Sequence, residues 1–320
     1  MSIFGIHLDL NPSYGVYLIG TFISNILLGA TCVQTYLYFR AFKDTLLIKS
    51  TVFVLLILEL MHGASSMGSL YHYLIGKFLD PLALTTTIWP INITFTITGS
   101  IVLVVHVFYA VRIYYVSGKQ LPIPVFIAAL SLGNFALGLV LTVKLFQNPF
   151  VVNLRGIRDN LAKAIFISAA IDDFLIAATL TYYLNRARTG IKQTDKIIDK
   201  LMIYAINNGI LTSITGIVAL AFVFAFPNDL YSVAIAQIIG NLYSNSLMAT
   251  LNSRNKTKES APSSLEIASH GLSTFGTSTN PQMPSVRAGQ SFVAFDKPPQ
   301  PKIGGRTRIQ MLRASDEESL

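Results

Sequence analysis

Seven apolar stretches follow one another along the chain, over roughly residues 14–39, 50–75, 88–116, 122–146, 162–184, 201–226 and 230–251. Each is about 20 residues or longer, enough for a helix to cross a hydrocarbon core of ~30 Å. The breaks are polar. Residues 40–49 are charged, and Lys77 and Asp80 precede Pro81. Gly118, Lys119 and two prolines separate the third and fourth stretches. Arg155, Arg158 and Asp159 lie before the fifth, a basic segment spans 185–200, and Pro227, Asn228 and Asp229 form a turn signal. Trp89, Tyr14, Tyr114 and Tyr115 sit near span ends, where interfacial aromatics are expected. After residue 251 the apolar runs stop, and Ser, Thr, Gly and Pro dominate. The pattern predicts an all-α membrane protein with a short N-terminal segment (1–13), a seven transmembrane helix bundle (14–251) and a disordered cytoplasmic tail (252–320).

Composition sharpens this. Of 320 residues, 52% are hydrophobic and 12% charged, with a mean hydropathy of +0.54. Soluble domains carry about 25% charged residues, so a soluble enzyme is nearly excluded. Cys32 is the single cysteine, so no disulfide forms within one chain and no zinc site is built from two of its cysteines. Residues 1–39 hold no Lys or Arg, and the first span is too long for a signal-peptide core, so no cleaved leader is expected.

The net charge of +8 is unevenly placed. With the N-terminus outside, the inner loops and the start of the tail hold thirteen Lys and Arg against five outside, which predicts N-out and C-in. Arg186, Arg188, Lys192, Lys196 and Lys200 form the densest inner cluster. They read as a topology signal, as contacts for anionic lipid, or as a surface for a cytoplasmic signalling partner. Nucleic-acid binding is not expected. In the tail, Asp296-Lys297-Pro298-Pro299-Gln300-Pro301 has the composition of a polyproline II ligand.

Ionisable residues inside a span are costly and usually face the bundle interior. At a 1.5 Å rise per residue, Glu59 lies about 14 Å from the inner end of the second span. By the same count Asp172 and Asp173 lie about 15–17 Å from the outer end of the fifth span, and His106 about 15 Å from the inner end of the third. These four are predicted to share the midplane, with His62 one turn from Glu59 on the same face. Asp172 and Asp173 stand about 100° apart around their helix. One is therefore expected to face the core and the other a helix seam, and the two carboxylates repel in a low dielectric. Gln237, Asn241, Ser244 and Asn245 make one polar stripe on the last span, and Asn207, Asn208, Thr212 and Ser213 add polar groups on the sixth. Two readings stand side by side: a polar, acid-lined cavity for a cation, a proton or an amine-bearing ligand, or hydrogen bonds that glue helices together. His62 and His106 read as satisfied bundle histidines rather than metal ligands. Gly20/Ser24, Ala64/Gly68, Ser65/Ser69 and Ala129/Gly133 mark expected close packing within the bundle.

Enzymatic signatures are absent: there is no GxSxG, HExxH or P-loop pattern. No catalytic residue, metal or cofactor is expected. Neither Asn92-Ile93-Thr94, inside a span, nor Asn255-Lys256-Thr257, on the inner side, is an expected glycosylation site.

Topology alone is similar to that of heptahelical receptors. The third span ends in Phe108-Tyr109-Ala110-Val111-Arg112-Ile113-Tyr114, without an acidic-Arg-Tyr motif. No Lys lies between Pro227 and Ser253 to carry retinal. In Gly15, Gly20, Leu28-Gly29, Gln34, Tyr36, Asp44, Lys49 and 108–112 the chain resembles a family of multi-pass proteins from mushroom-forming fungi. The resemblance is more specific in Asp173-Phe174-Leu175-Ile176-Ala177, Arg188-Thr189-Gly190, Thr194-Asp195 and Asn208-Gly209-Ile210-Leu211-Thr212. Pro227, Leu242-Tyr243-Ser244-Asn245-Ser246 and Leu251-Asn252-Ser253-Arg254 complete it. It implies seven spans and a C-terminal domain of unknown function over about 168–256, brings no activity, and singles out Asp173, Asn208, Tyr243 and Asn245. His106 stands where that family is expected to carry Gln.

The leading functional expectation is a receptor-like or sensor protein with a polar midplane pocket, in the plasma membrane or an endomembrane, contacting lipid and a small-molecule ligand. A small-solute or proton-coupled transporter is the alternative from another class. A structural or scaffolding membrane protein, which predicts no cavity, is the third.

Overall fold

The computed structural model describes residues 2–3, 6–7, 10–78, 80, 82–188, 190, 192–227 and 229–259, all within one compact unit, Met1–Thr277. Of these, only the backbone is described at 2–3, 6–7, 151–152, 155, 192–194, 197 and 255–259. Thr189, Asn228 and the tail from 260 onward, including the Pro298–Pro301 segment, lie outside the described residues.

Seven long helices form: α1 (Val16–Ala41), α2 (Leu46–Tyr71), α3 (Trp89–Val116), α4 (Pro122–Gln147), α5 (Arg155–Arg186), α6 (Lys192–Ala225) and α7 (Tyr231–Glu259). Prolines sit in the first turn of α3 and α4, where a missing N–H costs nothing. The α3–α4 turn is tight because Gly118 and Lys119 adopt positive φ. Helices α5, α6 and α7 run past the apolar stretches into residues read from sequence as loop. Hydropathy marks the part of a helix at hydrocarbon depth, whereas backbone hydrogen bonding carries the helix on through polar residues.

Six segments are long and apolar enough to cross a membrane: 11–41, 46–76, 89–116, 122–147, 156–186 and 198–225. They mark the chain as an integral, multi-pass membrane protein in contact with lipid. The seventh apolar stretch expected from sequence does not reach that standard, because Gln237, Asn241, Ser244, Asn245 and the polar end of α7 dilute it.

The helices pack in chain order, and α1 closes the ring against α7. Helix α3 touches α2, α4, α5 and α7 and forms the centre. Polarity is inverted relative to a soluble protein: Phe22, Ile26, Phe53, Phe126 and Phe174 are exposed, while Thr31, Ser66, Asn92 and Asn241 are buried. Two glycines allow close approach. A Cβ on Gly20 would lie 2.6 Å from the Ala234 carbonyl oxygen, and one on Gly209 would lie 2.9 Å from the Ala177 Cβ. Ala129/Gly133 and Ala64/Gly68 face outward instead, so these small pairs do not serve packing inside the bundle. Tyr14, at the start of the first span, turns inward: it is buried against Tyr73 and donates to the Leu84 carbonyl.

Helices α1 and α7 run parallel. Asn241 Nδ2 donates to Ser24 Oγ at 2.7 Å, Asn245 Nδ2 to the Leu27 carbonyl at 3.0 Å, and Asn252 Nδ2 to the Gln34 carbonyl at 2.9 Å. The two helices run together from Gly20 against Ala234 to Gln34 against Asn252.

Candidate functional site

Four helices meet at His106 of α3. Its Nδ1 lies 2.9 Å from Asp172 Oδ2 and 3.1 Å from Ser131 Oγ of α4. Its Nε2 lies 3.2 Å from Asp173 Oδ1. The Ser131 hydroxyl makes a short hydrogen bond to Asp172 Oδ2. Tyr243 of α7 donates from its hydroxyl to Asp173 Oδ2 at 2.7 Å, and its ring meets the imidazole edge-on with centroids 5.2 Å apart. His106, Asp172 and Asp173 are 1%, 0% and 5% exposed.

The 100° step between the aspartates does not send one of them to a seam. Asp172 leans toward α4, Asp173 toward α7, and His106 fills the angle between them. With both ring nitrogens protonated, the imidazole donates to both carboxylates and offsets one of their two charges. One nitrogen serves each carboxylate, so the three groups converge on no common point; among the described residues no such group is placed to hold a metal.

Cavities lie on either side of this layer. The larger, about 100 Å³, is mostly apolar and sits toward the end where α3, α5 and α7 begin; its walls include Thr94, Asn134, Thr212, Gln237, Asp173 and Tyr243. A smaller one, about 20 Å³, lies toward the opposite end and is lined by His106, Tyr109, Asp173, Asn208, Thr212 and Tyr243. Asp173, Thr212 and Tyr243 are common to both. The larger cavity shares Phe166, Ala170 and Gly216 with an open apolar groove between α5 and α6. It shares Phe95, Ala162 and Ala236 with a cavity at the α5 start, where Arg158 and Asp159 pair. In the smaller cavity Asn208 Nδ2 donates to Tyr109 Oη at 3.1 Å and to the Ser246 carbonyl at 3.3 Å.

Glu59 and His62 belong to a different place. They are 0% and 1% exposed on α2, and among the described residues neither the Glu59 oxygens nor the His62 nitrogens have a hydrogen-bond partner. Ser244 of α7 faces Glu59 without reaching hydrogen-bond geometry. Neither residue lines the cavities above, and Asp172 does not either, so Glu59, His106 and both aspartates do not share one pocket. The α7 stripe does not line one pocket either. Asn241 and Asn245 bind α1, while Gln237 accepts from Ser66 Oγ at 2.7 Å and donates to Tyr17 Oη at 3.2 Å. Only Gln237 of that stripe also reaches the larger cavity.

In the basic cluster, Arg186 and Lys196 are exposed, Arg188 pairs with Asp199, and Lys200 donates to the Ser253 carbonyl at 3.4 Å. Lys192 begins α6, and its side chain lies outside the described residues.

Ser131 and Asn134 are site residues that the sequence reading passed over. Their signal is a stripe on α4, Ser131, Asn134, Gly138 and Thr142, at helical spacing and buried throughout. Asn134 Nδ2 donates to the Ile165 carbonyl at 2.9 Å. Asp44 has partners that its sequence position does not announce: it accepts from Tyr38 at 2.9 Å and from Arg254 at 2.5 Å.

Residues 169–256 match a family of unknown function, DUF6534. The match includes Asp172, Asp173, Asn208, Tyr243 and the α7 stripe, and leaves His106, Ser131 and Glu59 outside it. No curated protein and no solved structure matches the chain.

Proposed function

We propose that this chain is a seven-span, N-out/C-in membrane sensor whose ligand is a small, largely apolar molecule bearing one hydrogen-bond donor or amine. The observation that carries the reading is the position of Asp173: its carboxylate lies in the wall of the apolar cavity and is held by His106 and Tyr243. A ligand donor that engages Asp173 competes with both holders. It thereby biases the contacts of α5 with α3 and α7, which is how a local event becomes a change of helix arrangement. The groove between α5 and α6 offers a route from the bilayer. Helix α7 completes the bundle as the seventh span because it runs parallel to α1, with its polar side chains turned to protein instead of lipid. The same reading takes the chain as one of the fungal seven-span proteins it resembles, with the basic α5–α6 segment facing the cytoplasm.

The test is a thermal-shift panel of small amphiphilic amines and alcohols on protein in nanodiscs. Compounds that stabilise the wild type are expected to lose that effect in Asp173→Asn and in Gly216→Phe, which fills the cavity from the α6 side. Equal stabilisation of all three proteins overturns the assignment.

A proton-coupled transporter is the second reading, favoured by the cavity on the other side of the Asp173–Tyr243 contact. It requires pH-dependent flux in reconstituted vesicles that Asp173→Asn abolishes. A purely scaffolding role leaves both cavities without a use.

A further inference from the structure

Arg112 is 4% exposed near the end of α3, and its Nη2 is buried without a hydrogen-bond partner among the described residues. Among the described residues no acid pairs with it. A buried carboxylate can escape its charge by taking up a proton, but a guanidinium stays charged in proteins. An uncompensated buried charge is costly, so this position calls for an anion.

The surroundings offer it a place. Arg112 lines a cavity of about 20 Å³ whose other walls are Ile48 of α2, Phe108 of α3, Leu201 of α6, and Thr250, Leu251 and Arg254 of α7. The second guanidinium there is already occupied: Arg254 binds Asp44 through Nη1 at 3.3 Å and Nη2 at 2.5 Å, and its Nε donates to the Leu251 carbonyl at 2.9 Å. The helix ends and loops at this end hold Lys49, Lys119, Lys196 and Lys200 against Asp44, Asp195 and Asp199, of which Asp44 pairs with Arg254 and Asp199 with Arg188, so the balance is positive.

We propose that this cavity is a binding site for a phosphate-type oxyanion, with Arg112 as its principal ligand. Arg112 is four residues from the last residue of α3, about 6 Å along the helix axis, which is head-group depth for a spanning helix. Basic pockets between transmembrane helices suit lipid phosphates, and the apolar walls suit the part of a lipid next to its head group. The volume holds about one oxygen-sized group. One phosphate oxygen therefore reaches Nη2, and the rest of the ligand stays at the cavity mouth. The head group of an anionic lipid and free inorganic phosphate share this chemistry. The site lies apart from the Asp173 cavity and does not depend on the sensor reading.

The experiment uses the full chain in non-ionic maltoside micelles alone, with added phosphatidic acid, and with inorganic phosphate in the buffer. Thermal unfolding is read in each, and retained lipid is counted by native mass spectrometry. The wild type is expected to gain stability with phosphatidic acid and to retain it about tenfold better than Arg112→Gln does. Arg112→Lys is expected to keep part of the effect. A gain with inorganic phosphate alone, lost in Arg112→Gln, assigns the same site to the soluble ion. In maltoside micelles alone Arg112→Gln is expected to be as stable as the wild type or more so. An equal gain in wild type and Arg112→Gln overturns the proposal, as does no gain from either phosphate source. Strong destabilisation of Arg112→Gln without anion also overturns it, because the charge would then already have a partner.

Discussion

The His106 cluster and the Glu59–His62 pair lie in the same bundle, and both are removed from solvent. In the first, imidazole, carboxylates and two hydroxyls satisfy one another across α3, α4, α5 and α7. In the second, a carboxylate and an imidazole one turn apart on α2 make no hydrogen bond among the described residues, with Ser244 facing Glu59 outside hydrogen-bond geometry. Burial alone therefore says little about what an intramembrane ionisable group does. The partnered cluster fixes the relative positions of four helices, and the unpartnered pair fixes nothing. The cavities lie beside the partnered cluster, so its geometry is what a ligand would alter.

Removing His106 tests this difference most severely. His106→Leu leaves two carboxylates facing each other with no counter-group and is expected to cost about 3–5 kcal/mol, the range for breaking a buried ionic network, read by denaturant unfolding in micelles. Gly20→Val comes next. Its side chain would collide with backbone of α7 at Ala234, with an expected cost of about 1–3 kcal/mol and loss of the α1–α7 seam, checked by cross-linking between the two helices. Asn245→Ala removes one interhelical bond of that seam and is expected to cost only about 0.6 kcal/mol. Glu59→Gln is expected to have the smallest effect, within about 1 kcal/mol of zero or stabilising, because no partner is left behind. A large loss there would mean that Glu59 has a partner and that the two regions are alike.

Much of this architecture is legible in the residues. Seven apolar stretches stand out, six of which become helices long and apolar enough to cross a membrane, and the costly acids Glu59, Asp172 and Asp173 announce themselves by lying inside apolar stretches. Three things resist such a reading. Helix ends outrun the apolar stretches because hydropathy follows the solvent, not the backbone ladder. Helix α7 reads as a seventh apolar stretch but is more polar than the other six, and only the fold shows that Asn241 and Asn245 turn to α1 and Gln237 to α2. Partner identity is the third: axial depth places Glu59 level with Asp173, yet depth says nothing of azimuth, and α2 turns Glu59 toward Ser244 and away from His106. Ser131 escapes notice because a lone serine in a span usually bonds its own helix, and only the fold brings it to Asp172.

The central claim is that His106 and Asp173 act as one unit while Glu59 and His62 do not. A double-mutant cycle on unfolding free energy measures this directly, with His106→Leu and Asp173→Leu singly and together and Glu59→Leu with His62→Leu as the parallel cycle. Coupling of about 1–3 kcal/mol in the first cycle, and additivity within about 0.5 kcal/mol in the second, is the expected result. Additive effects at His106 and Asp173 would contradict it.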